Sequence, residues 1–98
     1  MNYIKRKSGA ECNSADMELG WFTSIEECAK SCFQMDDCRF FNYGYGSKVD
    51  RCWWEYTKTA DCSDDETSQW QYKDYNFYER TTGIIFKTKP CKFITLIL

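Results

Sequence analysis

The clearest periodicity in the chain lies between Ser24 and Phe33. Ile25, Cys28, Ala29 and Cys32 fall at i, i+3, i+4 and i+7, so they share one apolar helical face. Glu26, Glu27, Lys30 and Gln34 take the other face, which reads as solvated. Glu26 and Lys30 make an i,i+4 pair in its favourable orientation. Ser24 with Glu27 forms a capping box, and Thr23 with Glu26 offers a second register. The pattern predicts a helix from Ser24 to about Phe33.

After Asp36-Asp37 the period changes from helical to alternating. Cys38–Tyr43 is rich in aromatic residues and predicts a strand with Cys38, Phe40 and Asn42 on one side. Gly44–Asp50 reads as a hairpin loop. Arg51–Thr57 is the return strand, with Cys52, Trp54 and Tyr56 on one side and Trp53 and Glu55 on the other. Asp74–Arg80 is a third strand, and Leu19–Phe22 a short one leading into the helix. Thr59–Gln69 is a polar, acidic loop around Cys62, and Trp70 and Tyr72 belong to this acidic connection. The expected fold class is α+β: one helix packed on a small antiparallel sheet. Residues 1–10 read as a loose lead-in, residues 11–80 as the domain, and residues 81–98 as a C-terminal extension. Within that extension, residues 82–87 and 92–98 are candidate edge strands, and Phe93–Leu98 is an apolar tail.

Seven cysteines in 98 residues change this picture. A chain this short buries a modest core and often needs staples. Cys12, Cys28, Cys32, Cys38, Cys52 and Cys62 space out as a disulfide framework, which places the chain in an oxidising compartment. Cys28 and Cys32 lie one helical turn apart, Cys38 opens the next strand, and Cys52 lies on its hairpin partner. Two bridges among these four could clamp the helix onto two neighbouring strands. Cysteine arithmetic alone leaves the connectivity open. Cys91 is the odd thiol, either unpaired or committed to an intermolecular bridge.

Gly20-Trp-Phe-Thr-Ser-Ile-Glu-Glu-Cys28-Ala-Lys-Ser-Cys32, then Cys38-Arg-Phe-Phe-Asn-Tyr43, then Cys52-Trp-Trp54, resembles the core of the PAN/Apple family over roughly residues 11–80. The resemblance implies the bridges Cys32–Cys38 and Cys28–Cys52. It implies a third between the N-terminal and C-terminal parts, here Cys12–Cys62. Cys62 departs from the Apple pattern because it precedes the last strand, which leaves Cys12–Cys91 as a rival. The resemblance also implies a module that binds proteins or glycans.

Other chemistry is thinly supplied. The chain has no histidine, and its second cysteine pair is too widely spaced for a zinc site. No general base, activated nucleophile or phosphate loop is visible, so no enzyme activity and no cofactor are expected. Asp36-Asp37 and Asp64-Asp65-Glu66 read as solvated loops, with weak calcium binding the alternative. A net charge of −2, from 13 basic and 15 acidic residues, gives no field to attract nucleic acid. The six-residue tail is far short of the roughly 20 apolar residues a membrane span needs. No signal peptide is expected at Met1–Lys7, which is polar and basic.

The remaining surplus is aromatic: four Trp, seven Tyr and seven Phe. Not all can be buried in a domain this small, and exposed rings are common at interfaces and sugar sites. Alternation assigns Phe40 and Trp54 to the helix-facing side. Arg39, Phe41, Tyr43, Arg51 and Trp53 then face away, with Tyr45 at the loop. These residues, together with Trp70, are the candidate ligand site, unless a second layer covers that face. The expected function is a non-catalytic extracellular or surface module for protein or carbohydrate recognition, as in adhesion. The alternative is a structural subunit of a virion or cell-surface filament that meets its neighbours through residues 81–98.

Overall fold

The computed structural model describes residues 2–63 and 69–81. The expectations for residues 82–98, including Cys91 and the apolar tail, lie outside the described residues, as do those for Asp64-Asp65-Glu66.

Among the described residues, seven strands and one α-helix follow in order. They are β1 (Tyr3–Lys7), β2 (Ala10–Cys12), β3 (Asp16–Trp21), α1 (Ile25–Phe33), β4 (Phe40–Gly44), β5 (Arg51–Glu55), β6 (Trp70–Tyr72) and β7 (Tyr75–Arg80), with a 3-10 turn at Gly46–Lys48. Ser24 caps α1 as the capping box predicts: its hydroxyl accepts from the Glu27 amide at 3.2 Å. The buried residues of α1 are Cys28, Ala29 and Cys32, all on the face predicted to be apolar.

The main sheet is five-stranded and antiparallel throughout, in the order β1-β7-β4-β5-β3. A second, two-stranded sheet pairs β2 with β6. Helix α1 covers one face of the main sheet and the small sheet covers part of the other, which makes the fold α+β. Residues 3–7, expected to be a loose lead-in, are instead the edge strand β1, in register with β7 from Tyr3 opposite Arg80 to Lys7 opposite Phe77. The Thr81 amide donates to the Asn2 carbonyl at 2.9 Å and continues that ladder.

Two apolar clusters lie on opposite faces of the main sheet. Under the helix, Phe41 and Tyr78 stack at 5.1 Å among Cys28, Ala29, Cys32 and Cys52, with Trp54 and Tyr43 at the margin. On the other face, Phe40 stacks on Phe77 at 5.3 Å, and Trp70 of β6 meets Phe77 edge-on at 5.0 Å. Cys12 and Cys62 close this second cluster.

The expectation for the β4 faces is therefore corrected. Phe41, not Phe40, faces the helix together with Trp54. Cys38 is tied to the helix, but it lies in the turn before β4 begins, so alternation counted from it is one residue out of step. For β5 the expected faces match the structure, with Cys52 and Trp54 against the helix cluster.

Three disulfides cross these layers. Cys28–Cys52 joins α1 to β5, Cys32–Cys38 joins α1 to the start of the following segment, and Cys12–Cys62 fastens β2 to the loop after β5. With Cys12 bridged to Cys62, the alternative partner Cys91 is not required for it.

Candidate functional site

The face of the main sheet away from α1 is only partly covered. The β2–β6 sheet shields Phe40 and Phe77 but leaves the β5–β3 corner open. There, Trp21 near the end of β3 is paired with Arg51 at the start of β5. The Arg51 guanidinium lies 5.7 Å from the Trp21 ring centroid and 5.6 Å from that of Trp53, so a cation sits between two indoles. Trp21 is 63% exposed, high for a tryptophan. Glu18 reaches Arg51 at 3.9 Å.

Beside this ladder is a cleft of about 240 Å³. Lys48, Arg51, Trp53, Lys73 and Tyr75 line it, and Glu11 and Asp16 form its acidic wall. The Trp53 indole N–H donates to the Tyr75 hydroxyl at 2.9 Å, which fixes the ring at the cleft wall. Lys48 is positioned by the turn before β5. Gly46 adopts a φ of +52°, and the Asp74 carboxylate accepts from the Ser47 amide and hydroxyl at 3.0 and 2.9 Å. Those hydrogen bonds hold the Asp74 carboxyl below its ordinary range.

Behind the acidic wall lies Glu55, only 1% exposed. Its carboxyl accepts from Asn42 Nδ2 at 2.9 Å and from the Ser14 hydroxyl at 3.2 Å. Burial, then the charge and hydrogen bond of Asp16, push its pKa up to about 10. Oxygens of Glu11, Asp16 and Glu55 all lie within 4.8 Å of one another, a grouping that could hold a metal ion.

The expected ligand residues divide. Arg51 and Trp53 come together at the open corner. Phe41 does not face away from the helix; it is fully buried in the helix-side core. Tyr43 also turns to the helix side, and its hydroxyl donates to the Phe22 carbonyl at 2.6 Å and to Asp50 at 3.2 Å. Arg39 is engaged with the buried Glu79 at 2.7 Å, a carboxylate that Arg6 meets from the other side at 2.8 Å. Trp70 is half-buried over Phe77, under the Lys7 ammonium at 5.6 Å. Tyr45 is exposed at the hairpin loop. Trp21, Lys73, Glu11, Asp16 and Tyr75 were not foreseen. Only the pairing of β3 with β5 and the folding of β2 over the sheet bring them to the same corner.

A disulfide-stapled α+β module with an open aromatic corner is the class that fold and surface define. The PAN domain family model matches residues 3–83, and the chain belongs to that family, whose members are protein- or carbohydrate-binding modules. No curated protein and no solved structure matches the chain. Among the described residues, no helix is long and apolar enough to cross a membrane.

Proposed function

We propose that this chain is a non-catalytic extracellular or cell-surface module that recognises carbohydrate at the Trp21–Arg51–Trp53 corner. One observation carries the reading: a highly exposed tryptophan stands beside a cleft whose walls combine a fixed indole with charged hydrogen-bonding groups. Sugar rings present a flat C–H face and a rim of hydroxyls. An aromatic platform takes the face, and carboxylates and cations take the rim. The three bridges support an oxidising compartment. The ring-lined corner also suits adhesion, where weak contacts are multiplied across a surface.

The test is a glycan array probed with the oxidised, folded protein. Saturable binding is expected, weakened at least tenfold by Trp21→Ala and by Arg51→Ala. A blank array with wild-type protein of native circular dichroism overturns the carbohydrate reading.

A further inference from the structure

We propose that Ile84-Ile85-Phe86, the first apolar segment after β7, folds back into a groove between β1 and α1 and straps the edge strand to the helix. The groove has a volume of about 420 Å³ and is lined by Asn2, Tyr3, Glu26, Ala29, Lys30 and Phe33. Its four helical residues fall at i, i+3, i+4 and i+7, so they form one continuous stripe of α1. Tyr3 crosses from β1 and donates its hydroxyl to Glu26 at 2.9 Å. Ala29 is buried, and Tyr3 and Phe33 are partly buried against the helix-side cluster. The groove is thus an apolar trough that continues the core outward, with Glu26 and Lys30 on its rim.

The chain itself leads to this groove. The Thr81 amide donates to the carbonyl of Asn2, one of the lining residues, at 2.9 Å. One residue earlier, the Arg80 guanidinium lies 4.7 Å from the Phe33 ring centroid. The chain therefore leaves β7 beside Asn2 and Phe33. Thr82 and Gly83 come next, and the glycine permits a reversal. Ile84, Ile85 and Phe86 follow directly. Three extended residues reach about 10 Å. The stripe from Glu26 to Phe33 also rises about 10 Å along the helix.

Charge and chain closure favour this occupant over its rivals. Residues 82–98 hold Lys87, Lys89 and Lys92 and no acidic residue. A segment that enters at Phe33 and runs towards Glu26 brings Lys87 to that carboxylate. The apolar Phe93–Leu98 must close a longer loop to reach the same place, and a second copy must give up its free translation and rotation. The PAN model ends at residue 83, so the strap begins where the family's module stops.

NMR of the full, oxidised chain tests the strap without any glycan. NOEs are expected from the side chains of Ile84–Phe86 to the Ala29 methyl and the Phe33 ring. Isotope filtering on mixed labelled and unlabelled chains should show that they arise within one molecule. Phe86→Ser should remove them and lower the Tm by about 5 °C or more, whereas Phe93→Ser should do neither. The strap is overturned if the groove shows NOEs only to residues 93–98, only between molecules, or to no residue beyond Thr81. An unchanged Tm for Phe86→Ser overturns it as well. If that variant fails to fold, the wild-type NOEs decide.

Discussion

The indole N–H of Trp53 donates to the hydroxyl of Tyr75, joining β5 to β7 across the intervening β4 at 2.9 Å. This bond holds one wall of the cleft in a single rotamer. Tyr75→Phe keeps the ring and removes only the acceptor. The half-buried indole N–H then loses its partner, at a cost of about 1 kcal/mol in stability. Affinity for an array-identified glycan should fall by up to about tenfold, because Trp53 is no longer preorganised. Thermal melts and a binding titration on the same variant check both outcomes.

Arg39 belongs to a different kind of site. Its guanidinium and that of Arg6 close on Glu79, whose side chain is 7% exposed. Glu79→Ala leaves both guanidiniums half exposed and open to water, so it should cost only about 1 kcal/mol. Arg39→Ala should lower the Tm and leave glycan binding unchanged. A loss of binding without a loss of stability would return Arg39 to the ligand surface.

The three disulfides should differ in worth. Their sequence separations are 50 for Cys12–Cys62, 24 for Cys28–Cys52 and 6 for Cys32–Cys38. Chain-entropy arguments put their contributions at about 4, 3.5 and 2 kcal/mol respectively. Paired Cys→Ser variants, compared by chemical denaturation, should unfold in that order of severity. The Cys12/Cys62 pair should also loosen the small sheet first, seen as early amide exchange at Ala10–Cys12.

Gly44 admits no side chain. A Cβ there would stand 1.9 Å from the Lys48 carbonyl oxygen, which is backbone and cannot move aside. Gly44→Ala should therefore cost about 1–3 kcal/mol or more through displacement of the turn. Since that turn carries Lys48 to the cleft, glycan affinity should fall with stability.

Alkaline pH should act through Tyr43. Burial, then its hydrogen bond to Asp50, pushes the phenol up to about 12. In the unfolded chain it ionises near 10, so the folded state favours the neutral form. The stability this contributes is complete below about pH 10 and is lost as pH rises towards 12. Tyr43→Phe should flatten that part of the stability–pH curve. Phenolate absorbance and denaturation across the window test this.

Much of the helix-side architecture could be read directly from residue spacing. The capping box at Ser24 and the Ile25–Cys28–Ala29–Cys32 stripe are local signals that the tertiary structure does not override. The hairpin and β7 were legible because aromatic alternation and glycine punctuation agree there. β1 was not, because Tyr-Ile-Lys-Arg-Lys has no alternating pattern and becomes a strand only through β7. β2 and β6 are three residues each, too short to carry a period. The inversion of Phe40 and Phe41 arose because a residue bridged to the helix need not lie in the strand that follows it. Of the candidate corner, Arg51 and Trp53 were visible as outward-facing strand residues. Trp21 was not, since nothing local distinguishes an exposed strand-end tryptophan from a core one. The acidic wall depends on contacts between residues such as Glu11 and Glu55, far apart in the chain.

The hydrogen bond from Thr81 to Asn2 sets where mechanical load enters the domain. The two ends leave side by side, so a pull between them peels β1 from β7 one rung at a time rather than shearing the ladder as a whole. The peeling meets a covalent stop at Cys12–Cys62, the outermost bridge in sequence. Tension passes through that bond and bypasses residues 13–61, including the helix, the hairpin and the Trp21–Arg51–Trp53 ladder. Past β1, the next strand on that path is β7, an interior strand paired with β4, so any further extension must open the main sheet itself.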